Sequence, residues 1–290
     1  MLDLDANREG APPRDAATLV LVRDAAASQG IEVFCVERSA KSRFLGGAIV
    51  FPGGKLDSAD RDAAWRARAT APRAPRSAIA GDEETLRALA VCACRETLEE
   101  AAILHVDGPP PSHDEVLALR TRIAERKETL LGFLEARSLR LDLAELHAFA
   151  RWVTPTAESR RFDARFFLAV ARPSQRGAHD GHETMASLWA TPREVLDSFV
   201  AGAIQLAPPT HRTLELLTLA TSATDAIARV SVGSLEPICP KLVPHRDAHG
   251  DTMALVLPGD SEHDVRESRV PGSSRYVLRG ERWLPEDAPR

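Results

Sequence analysis

The chain has 290 residues, 44% hydrophobic and 27% charged, with a net charge of −5. That is a globular balance with length for one enlarged domain or two small ones, and the negative charge argues against avid nonspecific nucleic-acid binding. No run of about 18 apolar residues occurs, which excludes a helical membrane span. Cys35, Cys92, Cys94 and Cys239 form no CXXC pair, so they read as reduced thiols, mostly packing groups, of a cytoplasmic protein.

Residues 1–15 are acidic and polar without the apolar stretch of a signal peptide, and are expected to be a flexible tail. Ala17–Arg23 reads as a buried strand. After a turn at Gln29-Gly30, the alternation of Ile31–Arg38 makes the partner strand of a hairpin. A short strand, Ala48–Phe51, runs into the turn Pro52-Gly53-Gly54. Glu83–Glu100 has helical spacing, with Glu83 and Glu84 suiting the positive end of the helix dipole. The prolines between Asp107 and Ser112 break the chain, and Glu115–Ala150 is largely helical by pattern. Arg151–Thr154, Arg161–Val170 and Ser187–Ala190 read as strands, and Pro192–Ala201 and Pro209–Ala220 as helices. Beyond Ser222 the pattern weakens, leaving Met253–Asp260 and Ser274–Gly280 as an appended hairpin. Periodicity alone therefore supports an α/β protein with a mixed sheet, and the C-terminus, EDAPR, carries no peroxisomal address.

The chemistry concentrates in Arg95-Glu96-Thr97-Leu98-Glu99-Glu100. On a helix, Glu96, Glu99 and Glu100 share one face and repel one another. Alone, such a triplet is usually a solvated face. Taken with the Gly-Gly turn upstream, where backbone can approach a ligand closely, it is a better seat for a hard divalent cation, which takes oxygen ligands.

The pattern resembles the box of the Nudix hydrolases, with Thr97 standing where an apolar residue is usual and Ala102 where glycine is usual. Arg95 follows Gly54 by 41 positions, far beyond the usual spacing, so the box carries an insert over about residues 59–86. Asp60, Glu83 and Glu84 are the candidates for the glutamate usual in its loop. An insert at this place, with Trp152–Ala169 and Leu206–Leu217, resembles the coenzyme A diphosphatase branch of the family, which includes a peroxisomal enzyme of mammals. The series Arg38-Ser39, Arg43, Gly47 and Phe51-Pro52-Gly53-Gly54 resembles the coenzyme A motif upstream of the box; its two arginines offer forked donors for the extra phosphate.

The resemblance implies a Nudix-type α/β/α sandwich with mixed sheet, helical insertions and a C-terminal extension. The domain would span 16–205, with inserts at about 59–86 and 110–150, and residues 206–290 would add a helix and a small β extension packed on the core. It implies Mg2+ or Mn2+ held by Glu96, Glu99, Glu100 and the Gly53 carbonyl, with Arg95 orienting the glutamates and Glu100 or Glu183 as base. Substrate would meet Arg38, Arg43, Gly47, Phe51, Gly54 and Arg161, the last chosen from Arg160, Arg161 and Arg165. The expected reaction is cleavage of the coenzyme A or acyl-CoA diphosphate to 3′,5′-ADP and a 4′-phosphopantetheine. The alternatives are another nucleoside diphosphate derivative (nucleotide sugar, dinucleotide, capped RNA) or a noncatalytic nucleotide-sensing module. The expected partner is a small molecule, with no membrane or nucleic acid; a homodimer is compatible. His179 and His182 suggest a metal pair by eye, but Mg2+ does not seek imidazole.

Overall fold

Side chains that alternate between two hydrophobic cores make strand β1 (Arg14–Asp24) the axis of the fold. Leu19 and Leu21 enter one core and Val20 and Val22 the other, as a period of two requires. The structure is a computed structural model that describes residues 3–5, 10–26, 30–41, 46–73 and 79–288. The other strands of the main sheet are β2 (Ile31–Arg38), β3 (Ala48–Val50), β4 (Gly53–Lys55), β5 (His147–Val153), β6 (Phe162–Val170), β7 (Thr184–Ala190) and β8 (Gln205–Leu206). They are ordered β5–β6–β1–β2–β3–β8, with β4 on β1 and β7 on β2.

β1 pairs in parallel with β6, from Arg14 opposite Phe162 to Val22 opposite Val170. Its antiparallel partner changes midway: β4 takes Ala16–Thr18 and β2 takes Val22–Asp24. This exchange brings Gly53 and Gly54 into the sheet. A Cβ on Gly53 would lie 2.6 Å from the Ala17 carbonyl oxygen, so only glycine fits.

Helices α1 (Trp65–Arg68), α2 (Glu83–Ala101), α3 (His113–Ala124) and α4 (Leu130–Ala136) cover the first core. Helices α5 (Pro192–Val200), α6 (Pro208–Leu217) and α7 (Ala223–Val230) cover the second. The sheet thus lies between two helical layers, the α/β/α arrangement expected. α2 starts on Asp82, whose carboxylate accepts the Thr85 N–H at 2.7 Å. It ends on Ala102 in the left-handed region, φ 49°. Thr97 is fully buried in it, and its hydroxyl donates to the Ala93 carbonyl at 2.7 Å, so the unusual box threonine leaves no unsatisfied group.

Several expected boundaries shift. α2 takes Glu83–Leu86, so the first insert ends before Glu83. The helical reading to Ala150 fails at its end: Ala148 and Ala150 pair with Phe167 and Phe166, because a short apolar run serves a strand as well as a helix. β1 starts inside the expected tail, and Leu4 bridges Glu158, whose carboxylate accepts the Asp3 N–H at 2.8 Å. α7 escaped the pattern because alanines carry much of its buried face. The appended hairpin is a four-stranded sheet of β9 (Lys241–Asp247), β10 (Gly250–Val256), β11 (Arg275–Arg279) and β12 (Arg282–Glu286), ordered β12–β11–β10–β9. Leu255, Leu257 and Tyr276 carry it into the second core. No helix among the described residues is long and apolar enough to cross a membrane.

Candidate active site

The last turns of α2 face Gly53 and Gly54 because β4 is pinned to β1 beside them. Glu100, only 3% exposed, accepts the Gly53 N–H at 3.0 Å. The Glu96 carboxylate covers Gly54 so closely that a Cβ there would fall within 2.6 Å of its Oε2. Arg95 binds the group together. Its Nε and Nη2 fork onto Asp60 at 2.8 and 2.9 Å, and its Nη1 reaches Glu96 at 2.8 Å and Glu99 at 3.3 Å. Asp60 is thus the insert acid that meets the box, while Glu83 and Glu84 pair with Arg87 at the other end of α2.

The cluster holds more negative charge than its arginines offset. Burial pushes Glu96 up to about 7 and Glu100 up to about 8; Arg95 opposes the first shift and the Gly53 N–H the second. Burial raises Glu99 as well. Buried carboxyls held partly protonated beside like charges are what a cation would relieve.

One cavity of about 620 Å³ is lined by Arg38, Phe51, Gly53, Gly54, Arg95, Glu96, Glu99, Glu100 and Glu183. Nine of the sequence-derived site residues therefore meet. Arg38 Nη1 lies 3.9 Å from Glu100, and its Nε is buried without a hydrogen-bond partner. Glu183 stands before β7, and its carbonyl accepts the Ser39 N–H at 2.8 Å, which ties it to the end of β2.

Gly47 and Arg161 are corrections. Gly47 does not line the cavity; at φ +75° its N–H closes the loop onto the Arg38 carbonyl at 3.0 Å. Arg161 turns away, donating to the carbonyls of Thr154 at 3.1 Å and Ala11 at 2.7 Å, and its neighbour Arg160 lines the cavity instead. Arg165 is buried, paired with Asp15 at 2.7 Å and Asp163 at 3.2 Å. Arg43 lies outside the described residues. Lys55, exposed beside the glycine turn, joins the lining without having been foreseen; its place just after the Gly-Gly pair was the available signal.

His179 and His182 form no metal pair: both sit in a turn organised by Asp180, which accepts the His182 N–H at 2.9 Å. Among the described residues, the trio whose ligand atoms all come within 4.8 Å of one another is His245, Asp247 and Glu286. There the guanidinium of Arg279 already pairs with Asp247 and, at 2.9 Å, with Glu286. The box glutamates instead spread along the cavity wall, with all-oxygen donors and unbalanced charge, and that donor set fits a hard divalent ion.

A family model described as the NUDT19 Nudix domain matches residues 81–217. A Gallus gallus protein named acyl-coenzyme A diphosphatase NUDT19 is 30% identical over 273 residues, covering 79% of this chain and 72% of that protein. The Homo sapiens protein of the same name is 27% identical over 272 residues, covering 80% and 72%. Among solved structures, a NUDIX hydrolase from Alicyclobacillus acidocaldarius aligns with a TM-score of 0.62 at 34% identity, covering 78% of this chain and 98% of that one.

Proposed function

Because the chain belongs to the Nudix hydrolase family, we propose that it hydrolyses the diphosphate of coenzyme A or acyl-CoA to 3′,5′-ADP and (acyl-)4′-phosphopantetheine. The observation that carries this reading is Arg38, which stands beside Glu100 with a buried, unpartnered Nε on the cavity that also holds the three box glutamates. A free guanidinium donor at that place suits a phosphate-rich nucleotide. The relatives named acyl-coenzyme A diphosphatase support the same substrate class.

Glu96, Glu99, Glu100 and the Gly53 carbonyl would hold Mg2+ or Mn2+. Such an ion supplies neutralisation of the diphosphate and a lowered pKa for the attacking water. Arg95 keeps Glu96 and Glu99 oriented, and Asp60 keeps Arg95 oriented in turn. Glu100 or Glu183 takes the water proton. The water oxygen bonds to one phosphorus, the bond from that phosphorus to the bridging oxygen breaks, and two phosphomonoesters leave. All four cysteines are free thiols, which agrees with a reducing compartment, and we place the protein in the cytoplasm.

Purified protein with Mg2+ or Mn2+ would be mixed with CoA, octanoyl-CoA, NADH, ADP-ribose and a dinucleoside tetraphosphate, and the products read by mass. Formation of 3′,5′-ADP from the CoA species alone is expected. Cleavage of the others with CoA untouched would overturn the substrate, and no turnover at all would favour a nucleotide-sensing module.

A further inference from the structure

The cavity is larger than the box requires. Away from the glutamates it continues along the outer ends of β5 and β6, past Trp152, Phe162, Ala164 and Phe166, under the turn that opens α6. Its far wall comes from the C-terminal extension, through Pro240 and Leu255. The box reading uses none of this limb.

We propose that this limb seats the acyl-pantetheine arm of the substrate and that the C-terminal extension is there to build it. The inference rests on the CoA reading above and deepens it. Four prolines line the limb: Pro155, Pro208, Pro209 and Pro240. Proline has no N–H, so this wall offers few backbone donors to a phosphate or to the acceptor edge of an adenine. Of the three rings in the limb, Trp152 and Phe166 are 4% and 6% exposed and present no open face for a base to stack on, and only Phe162 is half-buried. Among the described residues, Arg160 is the one cationic residue lining this part, and it is exposed. Methylenes need neither donors nor a stacking face, and they gain from such a surface. The nucleotide end is left to Arg38, on β2, which lies across β1 from β6.

The extension also holds the limb's ceiling. Tyr276, the sole tyrosine of the chain, is 1% exposed on β11. Its hydroxyl donates to the Pro208 carbonyl at 3.4 Å and lies 3.1 Å from His211 Nδ1. β11 therefore fixes the Pro208–Thr210 turn that lines the cavity. Tyr276 is a positioning residue, since it is not itself in the lining.

The test uses the full chain and two substitutions in the limb, Ala164→Leu, which fills it, and Phe162→Ala, which removes wall. The ratio of kcat/KM for octanoyl-CoA to that for CoA is measured, together with calorimetric binding of octanoyl-pantetheine to metal-free protein. Ala164→Leu should lower the ratio about tenfold, chiefly through KM, and weaken octanoyl-pantetheine binding by a similar factor, as loss of a few methylene contacts does. Phe162→Ala should lower it less, and it decides the matter if Ala164→Leu does not fold. An unchanged ratio in variants that melt like wild type overturns the inference. If the wild-type protein cleaves no CoA species, the functional reading fails instead. The limb then stands if octanoyl-pantetheine binds saturably and Ala164→Leu weakens that binding about tenfold, and falls if it does not bind.

Discussion

Arg95 and Arg275 are each gripped by a buried aspartate, and the two clusters differ in what is left over. In the C-terminal extension, Arg275 and Asp260 are 0% and 1% exposed, joined at 2.6 and 2.9 Å, and Glu262 reaches Arg275 at 2.8 Å. Asp260 also accepts the Ser274 hydroxyl at 2.6 Å and the Glu262 N–H at 2.9 Å. Burial would raise its carboxyl, but the Arg275 bond and these donors hold it below the usual range. At the box, Asp60 takes the fork of Arg95 in the same way, yet Glu96, Glu99 and Glu100 crowd the same wall and burial drives them up. In the extension the buried aspartate is matched by a buried guanidinium, whereas at the box buried carboxylates are left over, and that imbalance is what the proposed cation would relieve.

The contrast can be broken most directly at Glu100. Glu100→Gln should lower kcat by at least about a hundredfold without lowering the metal-free melting temperature at pH 8, since the pocket already favours a neutral side chain there. Full turnover, or a clear loss of melting temperature, would show the glutamates to be structural. Asp260→Asn should do the reverse. It leaves a buried guanidinium undercompensated and should cost about 3 kcal/mol in a denaturant titration; a cost under about 1 kcal/mol would mean that Glu262 suffices alone.

The difference should also appear as a pH dependence. Glu96 and Glu100 have folded pKa values raised to about 7 and about 8 from 4.5. The folded state therefore binds more protons than the unfolded chain across that window, and metal-free stability should fall as pH rises from about 4.5 to about 8. Mg2+ or Mn2+ should restore it increasingly toward the alkaline end. A metal-free melting temperature that rises over the same range would contradict the charge imbalance.

The smallest expected effect sharpens the comparison by separating cluster from helix. Ala102 holds a left-handed φ of 49° just past Glu100. Ala102→Gly should relieve that strain and stabilise by up to about 1 kcal/mol with kcat unchanged. Lost turnover would mean that the helix exit, and not only the glutamates, sets the site.

Much of the site was legible because it is local. Glu96, Glu99 and Glu100 meet by helical spacing alone, and Arg38, Phe51, Gly53 and Gly54 lie on strands and a turn whose pattern survives in one dimension. Asp60 could only be one of three candidates. The insert removes the spacing that would identify it, and its partner Arg95 is reached only by folding the insert back along α2. Arg160 and Arg161 are adjacent, and no pattern distinguishes them. The carbonyls of Thr154 and Ala11, brought there by the β5–β6 turn and the N-terminal segment, claim Arg161 and leave Arg160 at the cavity. The C-terminal extension was opaque because its apolar residues are divided, with Leu255 and Tyr276 in the core of the main sheet and Val243 and Val277 in its own.

By itself, then, the sequence determined the α/β class, the carboxylate face and the glycine turn, which depend on residues within a few positions of one another, and the family, through motifs spread along the chain. Tertiary structure alone decided which insert acid holds Arg95, which arginine faces the cavity, and that residues from β5, β6, α6 and the C-terminal sheet share one wall. Those outcomes rest on contacts between distant segments, whose free energy comes from packing and charge pairing that no local spacing encodes.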